Sequence, residues 1–195
     1  MEGIDYFDTY ALVARITSIH VLLALVSIYK LIVHQMDVKT AFLNGDLGQE
    51  VYLEQPKSFV QPKGFVIPRN EKKVCKLVKS LYGLKQAPKQ WHEKFDSVIL
   101  MDGIVHNSFD KYMYSKFTRE YGVNVCLHVD DMLIFGMNMK GVCETKKYLS
   151  SMFQMKDLNK VDTILGIKIK RHSEDFALCQ SHYVEKVLQN LNILI

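Results

Sequence analysis

The chain has 195 residues, 48% of them hydrophobic and 24% charged, and a net charge of +4. This is the composition of a globular protein of one domain, or one and a fragment, rather than a disordered one, and so small a net charge by itself names no partner. Its four cysteines, at 75, 126, 143 and 179, form no C-x-x-C pair, which argues against a disulfide framework and for reduced thiols in an intracellular setting. Cys179 and His182 make a lone C-x-x-H, and no second pair stands ready to complete a zinc site. The first ten residues hold three acids and no base, unlike a signal peptide. The most apolar run, Ile16 to Ile28, includes His20 and follows Arg15. It is shorter than the roughly 18 residues a membrane span needs and reads as a buried core helix.

In chain order, residues 11–30 are predicted as a helix apolar nearly all round, hence buried. Residues 31–37 form a short strand ending on Asp37, with a turn at Asn44-Gly45-Asp46 and a further short strand at 51–53. Residues 55–73 carry three of the four prolines and read as a loop. A strand over 74–82, a turn with Gly83, and a helix from Pro88 to Met101 follow. Strands are predicted at 112–117, 123–129, 132–136, 163–171 and 176–180, with helices over 140–154 and 181–191. Interspersed strands and helices with short connections give an α+β domain with one sheet backed by helices.

Residues 123–129 (VNVCLHV) alternate aliphatic with polar or small side chains, the mark of a strand with one buried face. Met132 to Phe135 is apolar throughout. Between them stand Asp130 and Asp131. The plain reading is a two-residue hairpin turn. Two features weigh against it: adjacent acids repel, and apolar neighbours make an unpaired carboxylate costly. A divalent cation would relieve both, and Mg²⁺ is held by a few carboxylates plus substrate phosphates. Asp37, at the end of its strand, would supply a further carboxylate. Two ions about 3.5–4 Å apart stabilise the attacking and leaving oxygens of an in-line phosphoryl displacement.

Four segments carry a resemblance: QMDVKTAFLNG (35–45), SLYGLKQAPKQWHEKF (80–95), VCLHVDDMLIFG (125–136) and ILGIKI (164–169). In this order and spacing they resemble copia-type LTR-retrotransposon reverse transcriptases, over residues 3–191. The resemblance implies a polymerase palm-like antiparallel sheet backed by helices, with partial fingers and a truncated thumb. It implies RNA-directed DNA polymerisation with two Mg²⁺ ions (Mn²⁺ as the substitute), on an RNA or DNA template with a primer, from dNTPs. It implies residence within a parent polyprotein, in a cytoplasmic virus-like particle or the nucleus, with no membrane role. Asp37, Asp130 and Asp131 match the metal-binding triad, with the Val38 carbonyl also facing a metal. Phe42 matches the steric gate against a 2′-hydroxyl, and Gln86 the glutamine that contacts the incoming nucleotide. Leu165 and Gly166 lie in the hairpin resembling the primer grip. Without the motifs, Phe42 reads as core, Gln86 as a loop amide and Gly166 as a bend.

Between Lys72 and Lys94 seven lysines stand against one acid, Glu93, a local charge of +6. Such a stretch, interleaved with Tyr82 and Trp91, suits a phosphate backbone, with Lys85 and Lys89 as template or primer contacts; a solvated lysine face is the alternative. The chain departs from the family at His128, where a tyrosine that supports the primer end is usual, and at Leu12 and His20, where proline and arginine are typical. Weakened primer positioning is expected from His128. The family's N-terminal fingers segment precedes Gly3, and its thumb continuation and RNase H follow Asn190, so weak activity of the chain alone is expected. The rival readings are a non-catalytic nucleic-acid-binding remnant and another palm-like enzyme such as a cyclase, against which LKQAP and ILGIKI argue.

Overall fold

The computed structural model describes residues 14–54, 74–160, 163–164, 167–171 and 176–191. In chain order it contains α1 (Ile16–Tyr29), β1 (Ile32–Val38), a 3₁₀ turn (Ala41–Asn44), β2 (Tyr52–Glu54), β3 (Val74–Lys76), α2 (Ala87–Met101), β4 (Val105–His106) and β5 (Met113–Phe117). It continues with β6 (Gly122–His128), β7 (Asp131–Gly136), α3 (Met139–Met152), β8 (Met155–Lys160), β9 (Thr163–Ile164), β10 (Ile167–Arg171), β11 (Phe176–Cys179) and α4 (Ser181–Asn190). The described residues fall into two compact units, one within Thr40–Ser97 and the other within Leu12–Lys39 and Val98–Ile195. The architecture is α+β, as predicted, but the described strands form three sheets, of six, three and two strands, rather than one. Among the described residues no helix is long and apolar enough to cross a membrane.

The larger unit is built on an antiparallel sheet in the order β4-β5-β6-β7-β1-β8. Cross-strand partners lie on one face, so register sorts the side chains. On one face Met113 faces Cys126, Cys126 faces Leu133, and Phe135 faces Val33. These bury against Ile19, Leu22, Leu23 and Val26 of α1, a stripe at helical spacing. On the other face Met36 pairs with Met132 and Val125 with Ile134. There α3 packs on β1, β6 and β7, burying Val142, Thr145 and Leu149.

Other expectations change as well. With helices on both faces, β6 buries Cys126 as fully as Val125, so it does not have one buried face. Conversely, α1 covers the sheet with one stripe only, and Val21 and Ile28 stay 59% and 69% exposed. The run 163–171 is two strands, with Ile164 facing Ile167. Their isoleucines 164, 167 and 169 are buried while Lys168 and Lys170 are exposed. β8 was not foreseen, because MKDLNK lacks both apolar alternation and β-formers. It is an edge strand, and pairing with β1 holds it.

α1 is capped from a distance. Arg15 offers no side-chain cap, but Asp110 Oδ2 accepts from the Arg15 N–H (3.1 Å) and the Ser18 hydroxyl (2.7 Å), while Oδ1 accepts from the Tyr112 N–H. One buried carboxylate thus satisfies donors that helix starts leave open.

In the smaller unit β2 pairs with β3. The strand expected over 74–82 stops at Lys76 because the backbone finds other partners. The Leu77 N–H goes to Val51, the Ser80 N–H to Gly45, and Lys79 bridges to Asp46. Gly45 sits against α2 so closely that a Cβ would lie 3.0 Å from Gln90 Cβ and 3.1 Å from the Trp91 nitrogen. The glycine ending the QMDVKTAFLNG segment is therefore a close-approach site.

Candidate active site

The site of greatest chemical interest lies at one end of the six-stranded sheet. β6, β7 and β1 are neighbours, and register places His128 opposite Asp131 and Asp131 opposite Asp37. The three side chains form a row on the face that carries α1. Directly paired residues have Cβ atoms about 4.5–5.5 Å apart, and like charges so placed destabilise a sheet. An Asp–Asp pair here costs the fold something that a cation would offset.

The hairpin differs from its predicted form by one residue. The loop is Val129-Asp130, and Asp131 is the first residue of β7. Two contacts favour this choice. The Val38 N–H donates to the Asp130 carbonyl at 2.9 Å, tying the turn to the end of β1. Gln35 Nε2 donates to Asp131 Oδ1 at 2.7 Å. The cost appears at Val129, whose φ is +56°. A β-branched residue there is a steric outlier, and such strain gathers at functional sites.

His128 is half-buried. Burial lowers its pKa below the ordinary histidine value, against the opposing pull of the Asp131 charge and a backbone hydrogen bond to Ala14. The imidazole is therefore neutral at physiological pH, and among the described residues its Nδ1 is buried with no hydrogen-bond partner.

Among the described residues no three His, Cys, Asp or Glu side chains gather closely enough to hold a metal ion. The register brings Asp37 and Asp131 level as a pair, with Asp130 in the adjoining turn. One or two carboxylates completed by substrate phosphates is how Mg²⁺ is commonly bound, and all the donors are hard oxygens. The residues present fit that ion.

Phe42, Gln86, Lys85 and Lys89 lie in the smaller unit. Phe42 is half-buried in the 3₁₀ turn, its ring 4.5 Å from that of Tyr82. Gln86 immediately precedes α2, and its carbonyl accepts from the Gln90 N–H. Lys85 is exposed and Lys89 intermediate. Leu165 and Gly166 lie outside the described residues. The basic stretch is less basic than its count. Lys76 pairs with Glu50, and Lys79 and Lys94 both pair with Asp46, at 3.3 and 3.5 Å. Folding brings in acids from outside the stretch. Trp91 is no stacking platform for bases: it is 2% exposed and packs beside Phe95.

Gln35 escaped the sequence reading. Its signal was parity: two residues before Asp37 in one strand, it shares that residue's face.

Comparison with known proteins follows the same lines. The family model for reverse transcriptase (RNA-dependent DNA polymerase) matches residues 1–194. The chain is 43% identical, over 195 aligned residues, to the retrovirus-related Pol polyprotein from transposon TNT 1-94 of Nicotiana tabacum, covering 98% of this chain and 14% of that protein. It is 33% identical over 192 residues to the Pol polyprotein from transposon RE1 of Arabidopsis thaliana, covering 98% of this chain and 13% of that protein. A putative transposon Ty5-1 protein of Saccharomyces cerevisiae is 33% identical over 159 residues, covering 81% of this chain and 50% of that protein. No solved structure matches. With both the family model and the retrotransposon relatives spanning nearly its whole length, the chain belongs to the reverse transcriptase family, in its copia-type branch.

Proposed function

We propose that the larger unit is the catalytic palm of an RNA-directed DNA polymerase, with Asp37, Asp130 and Asp131 as its acidic centre. The observation that carries this reading is the row His128–Asp131–Asp37 across three adjacent strands. In the proposed reaction the oxygen of a primer 3′-hydroxyl forms a bond to the α-phosphorus of a dNTP. The bond to the β-phosphate oxygen breaks, pyrophosphate leaves, and the hydroxyl proton passes to solvent. Mg²⁺ (or Mn²⁺), when bound, supplies positive charge for the attacking oxygen and the triphosphate. Asp37 and Asp131 concentrate the negative charge that holds it, with Asp130 and the Val38 carbonyl completing the set. His128 faces the primer end. Phe42 excludes a 2′-hydroxyl, Gln86 meets the incoming nucleotide, Lys85 and Lys89 meet phosphates, and Leu165-Gly166 steadies the primer. The template, primer, dNTP and the rest of a Pol polyprotein are the proposed partners.

The test is templated primer extension by the chain within its polyprotein, comparing Asp131→Asn and Asp37→Asn with the parent. Each loses at least about a hundredfold in rate, the scale set by removing one charge-stabilising group from an active site. Extension within threefold of the parent overturns the assignment. A second reading, a non-catalytic nucleic-acid-binding protein, draws on one observation: register levels only two of the three aspartates. It predicts salt-sensitive primer–template binding with no dNTP incorporation in that same polyprotein.

A further inference from the structure

A carboxylate that is to meet a cation must be held in one rotamer, or the ion binds a fluctuating target. Asp37 and Asp131 stand level on one sheet face, and one side chain reaches Asp131 from the next level of the same face. Gln35 lies two residues before Asp37 on β1, directly opposite Leu133 and diagonal to Asp131. Diagonal neighbours are within reach of long side chains. Gln35 is 8% exposed, and its Nε2 donates to Asp131 Oδ1 at 2.7 Å. A hydrogen bond to a charged acceptor at that length is among the stronger kinds.

The other half of the amide separates function from stability. Among the described residues Gln35 Oε1 is buried with no hydrogen-bond partner. A buried amide that satisfies one end and strands the other is a poor stabiliser, since the stranded end carries its full desolvation cost. An apolar side chain of similar length would serve the fold as well. The glutamine's distinctive contribution is therefore its donor to Asp131.

We infer that Gln35 is a positioning residue: its amide pins Asp131 Oδ1 and leaves Oδ2 presented to a divalent cation. The inference rests on the reading of Asp131 as a metal ligand. Gln35 itself touches neither ion nor substrate.

The experiment measures Mn²⁺ affinity of the 195-residue chain by electron paramagnetic resonance, together with thermal melting. The variants are Gln35→Met, which keeps length and packing but removes the donor, and Asp131→Asn. Gln35→Met is expected to bind Mn²⁺ about tenfold more weakly, the low end for loss of an outer partner of a metal ligand, while melting within a few degrees of the parent. Asp131→Asn is expected to weaken binding further. If Asp131→Asn weakens Mn²⁺ binding and Gln35→Met stays within twofold of the parent, the positioning role is overturned and the metal-ligand reading stands. If neither variant changes affinity, both fall. Should Gln35→Met fail to fold, the Gln35 side-chain amide protons of the parent are followed by NMR as Mg²⁺ is added. A shift supports the role, and resonances that ignore Mg²⁺ overturn it.

Discussion

Asp37 and Asp131 face each other as direct partners across β1 and β7, at the level where the hairpin turn begins. Two carboxylates meet where sheet pairing would normally place complementary groups. Replacing one of them relieves that repulsion. Asp37→Asn is therefore expected to melt higher than the parent in metal-free buffer, by the equivalent of about 0.5 kcal/mol, and to lose this advantage as Mg²⁺ is added. Differential scanning fluorimetry with and without Mg²⁺ checks both signs. A lower melting temperature in metal-free buffer contradicts the repulsion.

Val129 holds a φ of +56° in the loop. Left-handed geometry costs an L-residue about 1–2 kcal/mol, and glycine avoids the penalty. Val129→Gly is expected to leave stability unchanged or raise it by up to about 1 kcal/mol, since relief of strain offsets lost contacts and added chain entropy. Primer extension should fall, because the turn that carries Asp130 loosens. Urea unfolding alongside extension assays separates the two effects.

On the α3 side of the sheet Gly136 leaves no room for a side chain. A Cβ there would lie 2.4 Å from Val142 Cγ2. Gly136→Ala should destabilise by about 1–3 kcal/mol through overpacking. The double variant Gly136→Ala/Val142→Ala should recover part of that loss. An additive double variant in urea melts would count against the contact.

On the same side, Lys146 Nζ lies 3.0 Å from His34 Nδ1, 2.5 Å from Asp157 Oδ2 and 3.3 Å from Asn159 Oδ1. Burial alone would raise the Asp157 carboxyl. The Lys146 hydrogen bond, the Asn159 N–H and the neighbouring positive charge outweigh it and hold the pKa below the ordinary aspartate value. A depressed folded pKa means stability that is complete above about pH 4, the unfolded value, and lost as pH falls through the folded one. The Asp157 side chain is 41% exposed and solvent screens the pair, so Lys146→Met should cost at most about 1 kcal/mol at pH 7. The gap from the parent should narrow below pH 4, which a pH series of urea melts reads directly.

The cysteines should sort by environment under iodoacetamide at pH 7.5. Burial, with help from the Asp110 charge, pushes the Cys126 thiol up to about 12. Hydrogen bonds with Ser181, aided by Lys170 and Lys168, lower that of Cys179. Thiolate is the reactive form. Cys179 and the exposed Cys75 and Cys143 should label in the native protein, and Cys126 only after denaturation. Peptide mapping by mass spectrometry decides it.

Much of this molecule could be read from its sequence where local pattern and tertiary demand agree. The β6–β7 hairpin shows in the alternation of VNVCLHV, and α2 shows in its proline start. The loop's position did not, because Val-Asp and Asp-Asp both make two-residue connections, and valine at positive φ argues against the one adopted. Long-range bonds from Val38 and Gln35 decided it. Likewise β8 has no strand signature of its own, and Trp91, counted with the basic stretch, is turned inward by α2. The lysine count misled because Asp46 and Glu50 lie outside the counted segment and return to it only through folding.

The bulge beside β1 has a consequence for how this site tolerates change in chain length. Pairing with β8 shifts between Gln35 and Met36: Gln35 faces Asn159, Met36 faces Asp157, and Leu158 is the extra residue. The irregularity sits in β8, which bears none of Asp37, Asp130 and Asp131. β1 keeps unbroken alternation from Val33 through Gln35 to Asp37, and so keeps all three on one side. In a scan of single-residue deletions, loss of Leu158 should therefore be survivable. Loss of Met36 would turn either Asp37 or Gln35 to the opposite face and disconnect the carboxylate pair from the side chain that orients it.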